Sequence, residues 1–600
     1  MRPLRRTSHR HTRRAIRGVP SLALALALAL CVPTGGAAAQ TLIHPGSPLQ
    51  RSPDGIFSSL IPRETSGSMV LVHGGNIPGR VYGGTSRGQG LVGGNTVIAL
   101  AGAAARGVAG GFNAPSEAAA PPREGEAGGS VEGNSVFVLG GTFSGAVGGG
   151  ANGEATGNAV TITGGRVTAA AAGALSLGDA TGNLVTIAGG VVETEACGAI
   201  SQKGAVTGNR VLITGEALVR AARGGGGAGR AYDNSVLVVS GRVEKDVIGG
   251  QSALGSATGN RVRLAGGQVD GRVAGGVSDA GEAAGNRVRV DAEGGAGPVL
   301  CAGDIVGGES AGGAADGNSL ELLAGMLYAS AAGGQGSAQA SGNTVVMAGG
   351  TVEGTLAGGR SHHQARDNTV IVRGGLARDI TGGLTETSAR LKVAAGALTG
   401  AEAEGGASEA ISAAMGSEGG AAQVSSGNTV RLEAGTVWGT VTGGHSQAGS
   451  ATGNTVELCE GAALSDMSIL RGGSTGSGGD AFTGNTLVVE GGVMAGSLEN
   501  FATLTFVEPP SNGSALLLAG RARLSVEGAT TTVLLKIDGD RAEGRPLPAS
   551  FTLLRADGGI DLAGGALAPG QRGLAWGARL FDVRLAIEGD ALVAHVENVR

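Results

Sequence analysis

Residues 258–276 read TGNRVRLAGGQVDGRVAGG, with aliphatic side chains two, four, nine and thirteen positions after the asparagine. EGNSVFVLGGTFSGAVGGG (132–150), SGNTVVMAGGTVEGTLAGG (341–359) and SGNTVRLEAGTVWGTVTGG (426–444) are near copies. Val262 and Leu264 alternate with Arg261 and Arg263; Val269 and Val273 then alternate with Gln268, Asp270 and Arg272. A period of two predicts two short strands per unit, aliphatics on one face and charges on the other. Glycine pairs at offsets six–seven and fifteen–sixteen predict sharp changes of direction between strands. The rest of each unit, such as VSDAGEAAG before Asn286, is small, polar and poorly patterned.

The anchoring asparagine recurs fourteen times between Asn95 and Asn485, mostly at intervals of 24–26 residues. A fixed period of that size marks a repeat architecture whose units bury apolar surface only against their neighbours. If Gly266-Gly267 is a hairpin turn, each unit is an antiparallel ribbon. If it is a corner, each unit is one coil of a parallel β-solenoid, stacked about 4.8 Å above its predecessor. The solenoid accounts better for an asparagine at one fixed position, because stacked amides can bond along the axis. A turn residue tolerating positive φ is the other reading of each asparagine. The fold expected is all-β: a parallel β-helix of about 25-residue coils with a C-terminal β cap.

Composition narrows the picture. The 600 residues include 119 glycines but only 2% aromatics, too few large side chains for ordinary globular cores. A narrow solenoid needs only Val, Leu, Ile and Ala inside, each large one contributing about 1.5–3 kcal/mol on burial. The formal net charge is −5; without the seven arginines of residues 1–39, 37 basic residues face 49 acidic ones, a net of −12. That balance excludes nucleic acid as the principal partner, since phosphates need concentrated positive charge.

Along the chain, an Arg-rich start, the apolar run SLALALALAL (21–30) and Ala37-Ala38-Ala39 read as a signal peptide over 1–39. Arg13-Arg14 leaves open twin-arginine or general export. Residues 40–66, rich in proline, are expected to cap the first coil, which starts at SMVLVHGGNIPGRVYGG (68–84) with Ser68 at the asparagine position. The repeats occupy 67–496. FNAPSEAAAPPREGEAGG (112–129) reads as a surface loop. The 60-residue step from Asn368 to Asn428 is expected to hide a degenerate coil, RLKVAAGALTG (390–400), then a briefly helical insertion, SEAISAAMGSEGG (408–420). About sixteen coils at about 4.8 Å predict a rod of about 75–80 Å. Longer alternating strands over 497–600 predict the C-terminal cap.

The leader, the tandem GNxVxLxGGxVxGxVxGG coils, the strand NFATLTF (500–506) and the closing EGDALVAHV (588–596) resemble passenger domains of autotransporters, bacterial proteins of type V secretion. The resemblance covers nearly the whole mature chain. It implies a right-handed parallel β-helix at a Gram-negative cell surface, or released from it, with a structural or adhesive role. It also implies an outer-membrane β-barrel translocator as partner and a host or matrix glycan or protein as ligand. Three Tyr and two Trp are too few for the aromatic girdles of such a barrel, so the translocator is expected elsewhere, on a separate or longer chain. The alternatives are a carbohydrate-active β-helix enzyme acting on polysaccharide, or a truncated passenger without activity. No cofactor and no metal are expected.

Candidate chemistry is sparse. Cys197, Cys301 and Cys459 are far apart in sequence and read as spare thiols. His362-His363 reads as a solvated pair in a connecting loop. Gly224-x-Gly226-x-x-Gly229 lacks a dinucleotide-binding context, and Ser474 in GGSTG lacks that of a nucleophile elbow. Adjacent coils are expected to set Arg261, Arg263, Arg287 and Arg289 side by side, with Arg210 two coils earlier. Like charges directly opposed cost stability, which an anionic ligand would relieve. Glu193, Glu244, Asp270 and Glu353 share offset ten, and Glu244 with Asp270 forms the best carboxylate pair for polysaccharide cleavage. Both stripes also read as solvated faces that pair with each other. Trp438, outward by parity, is placed to stack on a sugar.

Overall fold

The computed structural model describes residues 40–44, 50–52, 55–57, 64–87, 90–114, 128–292, 297–386, 423–539 and 545–600. The leader (1–39), the segments 390–400 and 408–420 and most of the loop at 112–129 lie outside the described residues. The chain winds as a parallel β-solenoid of about sixteen turns. Arg261–Leu264 pairs in parallel with Arg287–Val290, residue opposite equivalent residue, so Gly266-Gly267 is a corner and not a hairpin.

One coil shows how the sequence makes the turn. After Asn260, Arg261–Leu264 buries Val262 and Leu264. Gly267, at φ +85°, turns the chain where a Cβ would lie 2.7 Å from the Gly241 carbonyl oxygen of the coil before. Gly267–Val269 then buries Val269. The next aliphatic, Val273, is on a separate strand, Val273–Ser278, so the alternation expected through Asp270 and Arg272 is broken by a corner. Asp246 fastens that corner: its Oδ1 accepts the Arg272 backbone N–H at 3.0 Å. Asp304 with Ser330 and Asp379 with Thr440 repeat the device.

The second glycine pair is not a corner. Gly276 is inside Val273–Ser278, where an added Cβ would sit 2.2 Å from Asn286 Oδ1. The missing side chain lets this strand close over the next coil's asparagine. Residues that show no pattern in the sequence also form a strand. Ala257–Thr258, Ala283–Ala284 and their equivalents stack into a fourteen-stranded sheet of two- and three-residue strands. Its small buried residues, such as Ala257 and Ala283, let it approach the axis.

The asparagines settle into a ladder. Asn260 Nδ2 donates to Asn286 Oδ1 at 3.0 Å and to the Ala231 carbonyl at 3.0 Å. The same Oδ1 accepts the Asn260 backbone N–H at 3.0 Å, so both lone pairs are used. The pattern runs unbroken from Asn95 to Asn485, with every member buried. Ser68 occupies the first rung, its N–H donating to Asn95 Oδ1 at 3.0 Å.

Two expectations about the ends and the long step are corrected. Asn368 bonds directly to Asn428, and Thr369 lies opposite Thr429, so no coil is intercalated between them. Parallel stacking also continues past residue 497. Thr503–Val507 pairs with Thr530–Lys536, and the latter with Ala566–Leu567. Only then do Gln571–Trp576, Arg579–Glu588 and Ala591–Glu597 run antiparallel and close that end, over Phe551, Phe581 and Trp576. At the other end Gln40–His44 lies antiparallel on Met69–His73 and covers the first coil's strand edge.

Candidate functional surfaces

The four arginines expected together are together: Arg261 lies opposite Arg287, and Arg263 opposite Arg289. The premise of an unbalanced stripe fails, because carboxylates from three coils neutralise it. Arg261 meets Asp233 at 3.4 Å, and Arg287 bonds Glu321. Arg263 and Arg289 both bond Asp291, at 2.9 and 2.7 Å, and Arg289 also reaches Glu321 at 3.3 Å. Asp291 is only 1% exposed, so two guanidinium groups compensate a carboxylate removed from water. Asp291 stands five residues after Asn286, where other coils carry residues as different as Leu139, Ala188, Arg373 and Glu433, so the repeat does not single it out. Glu321, opposite Arg289 in the next coil, is the counter-charge that the repeat does place.

The carboxylates of offset ten also separate by environment. Asp270 is engaged by Arg242 at 2.6 Å and by Gln268 at 2.6 Å. Glu193 pairs with Arg166. Glu244 is exposed and lies one coil before Asp270, since Val243 is opposite Val269. Arg220 falls on the same line, between Glu193 and Glu244, because an extra residue in its coil shifts its count from the asparagine.

Farther along, the same outward line changes character. Leu327, Val352, Ala377 and Val437 are opposite one another in four successive turns, and the residue after each points outward: Tyr328, Glu353, Arg378 and Trp438. These four line one shallow groove of about 720 Å³, flanked by Met326 and Leu376. Tyr328 is 49% exposed and Trp438 56%. Arg378 is 3.6 Å from the neighbouring Asp379, a loose contact that leaves its side chain in solvent. Sequence parity located Trp438 and Glu353; Tyr328 and Arg378, which it missed, stand at the same tenth position after Asn318 and Asn368, and that shared offset is the signal that finds them.

A second group, which sequence reading missed entirely, packs around the third strand of each coil. Arg223 bonds Glu195 at 2.9 Å, while Arg272 reaches Glu309 at 2.6 Å and Asp246 at 3.3 Å. Glu309 is 2% exposed, and burial raises its carboxyl above the usual range despite Arg272. Burial likewise raises Asp279, against the pull of Arg223 and Arg272. Beside them lies a small apolar cluster of Ile248, Ala274 and Val277. The pairs Arg223–Glu195, Arg272–Asp246 and Arg272–Glu309 join side chains of different coils, an arrangement that fixes coil packing.

The remaining candidates resolve simply. Burial raises all three thiols: Cys197 far above its ordinary value, Cys301 to about 12, and Cys459 to about 11 with help from Glu490. Gly224, Gly226 and Ser474 lie within third-face strands, Leu218–Gly227 and Ile469–Thr475. Among the described residues, no three His, Cys, Asp or Glu side chains converge as a metal site, and no helix is long and apolar enough to cross a membrane. Compared with known proteins, the chain matches no family model and no curated protein.

Proposed function

We propose that the chain is an exported surface protein of a Gram-negative bacterium with a structural or adhesive role, similar to an autotransporter passenger. The observation that carries this reading is the outward line from Glu193 to Trp438, one side chain per coil on a rod held by one asparagine ladder. A rigid repeated face offers a ligand many positions without any moving part. The sequence features of residues 1–39 support export, and the resemblance supplies the partner, a β-barrel translocator in the outer membrane.

Cleavage of polysaccharide is the weaker alternative. A retaining or inverting pair needs one carboxyl free to give a proton and one free to attack or activate water. Asp270 is instead held by Arg242 and Gln268. The test of display is protease shaving of intact producing cells, with mass spectrometry of released and cell-retained material. Release of repeat peptides from living cells supports display. Full-length protein confined to the periplasm removes the adhesive reading.

A further inference from the structure

We propose that the groove lined by Tyr328, Glu353, Arg378 and Trp438 binds an uncharged, equatorially linked pyranose chain, cellulose-like or chitin-like, lying parallel to the solenoid axis. The inference rests on the adhesive reading and names the ligand class for it. Two large aromatic side chains, each about half exposed, share one concavity with apolar flanks from Met326 and Leu376. Aromatic faces left in water are a recognition surface for the C–H faces of sugars, which are flat and weakly apolar.

Charge selects among glycans. Glu353 and Arg378 are in neighbouring coils between the rings, and with Asp379 beside Arg378 the site carries no net positive charge. Together they offer an acceptor and a multiple donor, which suits hydroxyls that both give and take hydrogen bonds. An anionic glycan would meet Glu353 without a net positive field to offset it, so sulfated or carboxylated chains are disfavoured. Geometry selects among the uncharged ones. Three coil steps of about 4.8 Å separate the rings by about 14 Å along a straight line. An extended chain of several sugars spans both rings, whereas a helically coiled glycan leaves that line.

The test uses the purified chain and three hexasaccharides: cellohexaose, chitohexaose and maltohexaose. Trp576 is buried in the C-terminal cap, so the accessible indole is Trp438 and its fluorescence reports the groove. The expected result is a saturable blue shift and acrylamide protection with cellohexaose or chitohexaose, and at least about tenfold weaker binding of maltohexaose. Calorimetry should show a loss of at least about tenfold in Trp438→Ala and in Tyr328→Ala, and none in Tyr232→Ala, an exposed tyrosine elsewhere. Raising salt from about 0.1 M to about 0.5 M should leave binding unchanged. No saturable change with either extended glycan, equal binding of maltohexaose, or full retention in both groove variants overturns the proposal. Because binding is measured on purified protein, its failure leaves the display reading standing, and failed display leaves the groove standing.

Discussion

Asn368 donates its side-chain amide to Asn428 at 2.9 Å, although 60 residues separate them. Around this bond the two coils are in ordinary register: Ser361 lies opposite Thr385, and Gln364 opposite Val424. His362 and His363 connect the first pair; Glu386 and Gln423 occupy the corresponding places in the second coil. Joining Glu386 directly to Gln423 therefore restores the spacing of the coil before. Deletion of 387–422 should leave the β-rich circular dichroism and hydrodynamic shape unchanged, with the urea midpoint equal to or slightly above the parent's. Shortening a closed loop reduces the entropy lost on folding only slowly with length, so a large shift is not expected. Collapse of the β signal would mean that the insertion builds part of the stack.

The ladder predicts a graded response to asparagine removal. Asn260→Ala strands two donors of Asn234, its backbone N–H and its Nδ2, together with the Ala231 carbonyl. Each buried unsatisfied group costs about 1–3 kcal/mol, partly relaxed, so a loss of about 2–5 kcal/mol is expected. Trp438→Ala, a larger truncation on the surface, should change stability by under about 0.5 kcal/mol. Equal effects in urea titrations would show that the asparagines are ordinary turn residues.

How far the sequence discloses the molecule follows from side-chain size and period. Val262 and Leu264 alternate over four residues, long enough to announce a strand, and the fixed asparagine announces stacking. Ala257–Thr258 is two residues long, too short for any alternation to register. Gly276 resembles Gly267 in sequence, yet one relieves a contact with Asn286 and the other turns a corner, a difference set by the facing coil. The arginine quartet was legible as a stripe, and Glu321 continues its offset into the next coil, but the counter-charges Asp233 and Asp291 lie outside the period that located it.

Those counter-charges predict that the quartet is structural. Replacing Arg263 and Arg289 together with Ser removes two guanidinium partners from the Asp291 carboxylate, which is 1% exposed. Removing the partners of a buried ion costs about 3–5 kcal/mol, against less than about 1 kcal/mol for exposed pairs. The double variant should melt well below Arg261→Ser, whose partner Asp233 is more exposed. Adding Asp291→Asn to the double variant should recover most of the loss. Failure of that recovery would place the cost in lost arginine packing.

Glu309 predicts how acid acts on the stack. Burial is the largest influence on its carboxyl and raises its pKa over the opposing attraction of Arg272. The folded chain then binds a proton more tightly at this site than the unfolded chain does. By linkage, the site's contribution to stability is fully present below the unfolded carboxyl range and is lost as pH rises through the higher folded value. Glu309→Gln removes this titration and keeps an oxygen that can accept from Arg272. The parent should therefore gain stability relative to the variant as pH is lowered from neutral toward about 4, the unfolded glutamate range, and the difference should flatten below it. Paired thermal melts across that range read the difference directly. A gap that moves the other way, with the parent losing ground as pH falls, would mean that Arg272 outweighs burial and holds Glu309 ionised in the fold.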